Sequence, residues 1–141
     1  MPINVCTLSD YNFLAKGLTL YDSLIKHNSD IVMHYLCFDD ESYEELSQYK
    51  SDNLWVHDPT LAILKENDRE YYSYALASFF SNYLIKIRSI DITYIDSDIF
   101  FYDDLNIIID AIGKKDVGIF RHRQCPLEIP NNNGWFNVGV V

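Results

Sequence analysis

Positive charge is what this chain has least of. Lys and Arg number 11 against 21 Asp and Glu, for a net charge of −10. A balance this acidic argues against bare nucleic acid as a partner, since phosphate contacts rest on Lys and Arg. A phosphorylated ligand would need a bound cation to supply the missing positive charge. Cysteine is also scarce. Cys6, Cys37 and Cys125 are odd in number, far apart and form no C-x-x-C pair, which points to a reducing compartment. Cys6 and Cys37 stand in apolar, strand-like runs and read as small buried hydrophobes. No apolar run approaches the ~20 residues that span a bilayer. The opening MPINVCTLSD has no charged segment ahead of an apolar one, so it is not a secretory leader. There is no internal repeat, low-complexity tract or linker. The expectation is a soluble cytoplasmic protein without a transmembrane segment, at most peripheral to a membrane.

What is present is a core. Hydrophobic residues make up 48% of the 141 and aromatics 15%, with 11 Tyr and 8 Phe. That suits one folded domain over residues 1–141. Apolar runs at Ile3 to Leu8, Ile31 to Phe38 and Leu54 to His57 predict buried strands. Between the first two, Phe13, Leu14, Leu18, Tyr21, Leu24 and Ile25 fall at helical spacings. ESYEELSQY predicts a short polar helix, and Asp58-Pro59-Thr60 opens another helical piece. Glu70 to Ile87 predicts a long helix, Ile92 to Ile95 a strand, and Leu105 to Ile112 a helix stopped by Gly113. Val117 to Phe120 and Val138 to Val141 predict two further strands. Alternation of this kind implies a Rossmann-like three-layer α/β/α sandwich with a mainly parallel sheet. The chain stops in a strand entering the core, so a fold truncated at its C-terminus is expected.

In such sheets ligands sit outside the carboxyl ends of the strands. The strand ends here carry Thr7, Ser9 and Asp10, then Asp39 and Asp40, then Asp96 and Asp98. The last pair interrupts the apolar stretch ITYIDSDIFFYDDL. Carboxylates in such a place are costly without a positive partner. In a strand, a spacing of two would put both on one face, where a hard dication such as Mg²⁺ or Mn²⁺ takes carboxylate and phosphate oxygens. From the two acids alone, an acidic turn between strands is an equal reading.

Three segments in order carry a family resemblance. YIDSDIFFYDDL resembles the D-x-D segment of the GT-A glycosyltransferases, the nucleotide-diphospho-sugar transferases. NVCTLSDYNFLAKGLTLYDSLIKHN is similar to their first strand and helix. GIFRHRQ followed by GWFNVGVV is similar to the later strand and Asn-x-Gly segment, close to glycosyltransferase family 8. The resemblance runs from Ile3 to Val141 and implies the donor-binding N-terminal part of a metal-dependent transferase of hexosyltransferase type. Asp96 and Asp98 would bind Mn²⁺ or Mg²⁺ bridging the donor diphosphate, Asp98 more directly, with Asp96 reaching the ribose or the metal. Thr7, Ser9, Asp10 and Asn12 would line the nucleoside pocket, with Tyr11 near the base and Asp39 at a base or ribose edge. Asn137 and Gly139 would lie near the sugar or the acceptor. The implied partners are a nucleotide-sugar, with a UDP-sugar as first choice, and an acceptor that is a saccharide, a lipid-linked glycan or a protein. The family's basic residue early in the long helix has no counterpart in SYALASFFSNYLIKI, where Lys86 is the first. Its late metal-ligating histidine and acceptor half would lie beyond residue 141.

Each candidate has a structural alternative. Ser9 and Asp10 could cap the helix that follows. Tyr11 could be packing at its start. Asp39, Asp40 and Glu41 could be a solvated turn. Asp103 and Asp104 favour a helix start. Gly139 could permit close backbone approach in a strand. Arg121, His122 and Arg123 form the densest basic cluster, which meets either donor phosphates, an acceptor's charge, or solvent. His122 could be a metal or acid-base group, though a lone His is more often structural. His27, His34 and His57 show no ligand spacing, and Phe79, Phe80 and Tyr83 read as core. Two rival functions stand beside the transferase. One is a non-catalytic or truncated nucleotide-sugar binder. The other is a haloacid-dehalogenase-type phosphatase with Asp96 as nucleophile. A sheet left half bare would favour a homo-oligomer.

Overall fold

The computed structural model describes residues 2–61, 69–121, 136–137 and 139–141. Its centre is a four-stranded parallel sheet of β1 (Ile3–Ser9), β2 (Ile31–Cys37), β3 (Leu54–His57) and β4 (Thr93–Tyr94), in the order β3-β2-β1-β4. β1 and β2 pair along their whole length, from Ile3 opposite Ile31 to Ser9 opposite Cys37. Both are buried almost without interruption. That is the burial of a parallel sheet covered on both faces, and it explains why these strands read as unbroken apolar runs.

One face of the sheet packs on α1 (Leu14–His27), α2 (Asp40–Ser47) and α4 (Asn106–Ile112). Val5, Ile31, Met33, Tyr35 and Cys37 meet Leu14, Leu20, Tyr21, Leu24, Leu46 and Leu105 there. The other face packs on α3 (Arg69–Arg88). Leu76, Phe80 and Leu84 recur every four residues along α3 and meet Cys6, Leu8 and Leu36. The arrangement is the three-layer α/β/α sandwich expected. Gly17 is required for the approach of α1, because a Cβ there would stand 2.0 Å from the Tyr35 hydroxyl. Gly113, with φ of 62°, ends α4 as expected.

Several boundaries differ from those the sequence predicts. A 3-10 turn, Tyr11–Phe13, takes the start of the first helix. The piece that Asp58-Pro59-Thr60 opens starts as a 3-10 turn, Pro59–Leu61, and its continuation lies outside the described residues. The predicted strand at 117–120 is irregular as far as Ile119, and the strand there is β5 (Phe120–Arg121). It pairs antiparallel with β6 (Phe136–Asn137) in a separate two-stranded sheet. The predicted strand at 138–141 is instead a short antiparallel partner of β4. Tyr94 and Val141 exchange backbone hydrogen bonds of 2.7 and 2.9 Å, and Asp96 N–H donates to the Gly139 carbonyl at 2.8 Å. Residues 139–141 therefore cover the edge that β4 would otherwise expose. Among the described residues no helix is long and apolar enough to cross a membrane.

Candidate functional site

The connections place the carboxyl edge. The sheet grows from β1 to β2 to β3, and α3 then crosses back to set β4 on the other side of β1. The strand order reverses between β1 and β4, the position where α/β sheets bind ligands. Val5 pairs with Thr93 and Cys6 with Tyr94. Continuing that register brings residues 96–98 alongside the exit of β1.

On the β1–β2 side the acids are held by backbone. Asp10 caps the 3-10 turn: its Oδ1 accepts from Phe13 N–H at 3.2 Å and its Oδ2 from Asn12 Nδ2 at 3.3 Å. Asp39 caps α2 through Oδ1, which accepts from Ser42 N–H at 2.8 Å, while Oδ2 accepts from Tyr11 N–H at 3.1 Å. One carboxylate thus ties the end of β2 to the loop after β1. Thr7 is fully buried and its Oγ1 has no hydrogen-bond partner. Ser9 is buried too, 2.6 Å from the Tyr35 hydroxyl and donating to the Asp10 carbonyl at 3.0 Å. Thr7 and Ser9 therefore lie beneath the edge, under α1. Tyr11, Asn12 and Phe13 are exposed on it, and Lys16 stacks its ammonium over Phe13 at 4.3 Å.

The β4 side is built differently. Asp96 and Asp98 do not share a strand face. β4 ends before them, and Ile99 N–H donates to the Asp96 carbonyl at 3.2 Å, closing a tight turn. The acidic-turn reading is thus right about the backbone. The turn is nonetheless anchored, because Ile95, Phe101 and Leu105 are core residues and Phe101 N–H donates to Ser23 Oγ at 3.1 Å. Ser97 points inward, Asp98 is exposed and Asp96 is half-buried. Asp96 Oδ1 accepts from the Tyr94 hydroxyl at 2.7 Å. Burial raises the Asp96 carboxyl above its ordinary range. The Tyr94 hydrogen bond opposes that rise, and the Asp98 charge adds to it. Tyr94 is itself pushed up, by burial first and then by Asp96, so it stays a donor.

Two mutually repelling carboxylates in a rigid turn suit a hard dication. Among the described residues no third His, Cys, Asp or Glu joins them. The donor set fits Mg²⁺ or Mn²⁺ in the manner of sites that hold such ions with one or two carboxylates plus substrate phosphates and water. Gly139 is buried and stands next to Asp96 through its carbonyl. Arg121 and Asn137 fall in β5 and β6, Arg121 paired with Phe136 and Phe120 with Asn137. His122 and Arg123 lie outside the described residues. Two features were missed at the level of sequence. Tyr94 holds Asp96, a contact signalled only by the Tyr-x-Asp spacing. The long helix begins at Arg69 rather than Glu70, so a basic residue does stand at its start. A separate polar hollow, lined by His27, Asn28, Asp30 and Asp104 among others, lies at the opposite edge of the sheet. Its Asn28 accounts for it, donating to Leu24 O at 2.7 Å and accepting from Leu105 N–H at 3.0 Å.

No family model and no curated protein matches the sequence. Solved structures do match the fold. The glycosyltransferase GlyE of Streptococcus pneumoniae TIGR4 superposes with a TM-score of 0.59 at 22% identity over 99% of this chain. Its apo form superposes with a TM-score of 0.55 at 21% identity, also over 99%. The chain has a glycosyltransferase fold. It spans 33%, about a third, of the length of each of those chains. Within this glycosyltransferase fold the acid turn closes the fourth strand, next to the first.

Proposed function

We propose that this chain is the donor-binding part of a metal-dependent glycosyltransferase that moves a sugar from a nucleotide-diphospho-sugar to a saccharide, lipid-linked glycan or protein. The observation that carries the reading is the Asp96–Asp98 turn. It sets two carboxylates against each other where the strand order reverses, at the carboxyl edge of an otherwise anionic protein. A diphosphate brought there would be repelled unless a cation lay between. Mn²⁺ or Mg²⁺ bound there would supply Lewis-acid stabilisation of the charge that develops on the leaving nucleoside diphosphate.

The chain's own residues prepare the place. Asp98 is exposed and faces an incoming ion unhindered. Tyr94 fixes one oxygen of Asp96 and so orients the other. Asp39 anchors the loop that presents Tyr11 and Phe13, whose exposed rings offer a flat face to a base. The donor of first choice is a UDP-sugar, by the resemblance of the β1–α1 and D-x-D segments.

A thermal-shift series with UDP, with and without Mn²⁺, tests this. Ligand at 100 times its Kd stabilises the fold by about 2.7 kcal/mol, and that stabilisation should require Mn²⁺ and vanish in Asp98→Ala. An equal shift in the presence of a chelator would overturn the metal-bridged site. Binding without sugar transfer to any acceptor would make the chain a nucleotide-sugar binder.

A further inference from the structure

Behind the carboxyl edge, the layer between the sheet and α3 holds a second titratable group. His34, in the middle of β2, is 1% exposed. The register sets His34 beside Trp55 and Leu36 beside His57, so His34, Trp55 and His57 share the α3 face. His34 Nδ1 lies 3.3 Å from His57 Nε2. Trp55 meets the His34 ring edge-on at 5.2 Å, and Phe80 of α3 meets His57 edge-on at 5.0 Å. Arg88, the last residue of α3, stacks on Trp55 at 4.8 Å. The second His34 nitrogen, Nε2, is buried without a hydrogen-bond partner.

The network favours one tautomer. If His34 carries its proton on Nδ1 and donates to His57 Nε2, the buried Nε2 is a bare lone pair. The alternative leaves an N–H donor buried and unpaired, the costlier arrangement. Among the described residues an added proton has no anion to meet. From β1 the layer receives Cys6, 3.5 Å from Ser81 Oγ and pushed up to about 12 by burial. From β4 it receives the phenol of Tyr94, and from α3 that of Tyr83 and the cation of Arg88. Asp58 follows His57, alternates to the other face and accepts from Thr60 N–H at 2.6 Å. Asp96, past the end of β4 and beyond β1, is engaged by the Tyr94 hydroxyl. Burial holds both imidazoles down at about 4, with Arg88 adding to the effect in each and His57 adding to it in His34. A metal ion between the rings would face the same lack of an anion.

We infer that the neutral His34–His57 pair is an acid-releasable fastening of α3 to the sheet. Protonating either ring creates a cation beside Arg88 in an apolar layer, and α3 separates to let water in. Residues 89–92 are all that join α3 to β4, so release loosens β4 and the acid turn with it. Both folded values lie below the ordinary 6.5. The unfolded chain therefore binds more protons between them, and the pair's contribution is fully present above pH 6.5 and lost as pH falls toward 4.

The test uses the unliganded chain and is independent of the nucleotide reading. Histidine NMR spectra should show two of the four imidazoles still neutral at pH 5 in the folded protein. Amide-exchange protection in α3 should fall before that in α1 on acidification. The drop in melting temperature from pH 7 to 5 should shrink by roughly half in His34→Gln or His57→Gln. Four histidines titrating near the ordinary value, or an undiminished drop in both variants, would overturn the inference. If neither variant folds, the wild-type spectra and exchange decide it alone.

Discussion

Asp39 and Asp96 stand at the ends of two strands in one sheet, and the protein uses them in opposite ways. Asp39 has two backbone N–H donors, one from α2 and one from the loop after β1. Its charge is consumed in building the edge. Asp96 has one phenol and, beside it, another carboxylate. Its charge is held at a cost that the fold does not recover by itself. Residues arranged against stability at a strand end are the ones to examine for ligand chemistry.

The largest effect that would sharpen this contrast is on ligand-linked stability. Asp98→Ala should abolish the Mn²⁺- and UDP-dependent gain of about 2.7 kcal/mol. It should leave the unliganded fold within about 0.5 kcal/mol, because an exposed side chain away from caps and core contributes little. Denaturant midpoints with and without ligand separate the two. Next comes Asp39→Ala, which removes an N-cap and the tie to Tyr11. It should cost about 1–2 kcal/mol in the absence of any ligand, seen as a lower urea midpoint at unchanged slope. The smallest effect is expected from Asp96→Asn. A carboxyl raised in the fold binds its proton more tightly there than in the unfolded chain. Ionising it thus erodes stability as pH climbs from the ordinary carboxylate value through the raised one. The variant should flatten that erosion in urea titrations from pH 3.5 to 7. A steeper loss would place Asp96 among the stabilising acids with Asp39.

The sheet was legible because its strands are covered on both faces and so carry unbroken apolar runs. The first helix is legible from the spacing of Leu14, Tyr21 and Leu24, whereas of Phe79, Phe80 and Tyr83, read as core in the long helix, Phe80 is buried and Phe79 stands exposed. The polar punctuation was harder. Asp10 reads as a cap or a ligand and Asp39 as a ligand or a solvated turn, and only the backbone shows that both cap. The Asp96–Asp98 spacing fits a shared strand face and an acidic turn equally, and sequence alone does not choose between them. β4 stops at Tyr94, and the acids approach each other through a turn. Val138 to Val141 reads as a strand joining the sheet, and sequence carries no sign of the direction in which it pairs. His34 and His57 showed no ligand spacing because the cross-strand register, not sequence separation, brings them together.

The most direct measurement is isothermal titration of UDP into the chain, run with Mn²⁺ and again with EDTA, for the wild type and Asp98→Ala. The account predicts saturable heat only for the wild type with Mn²⁺. Equal binding in EDTA, or in Asp98→Ala with Mn²⁺, would contradict it.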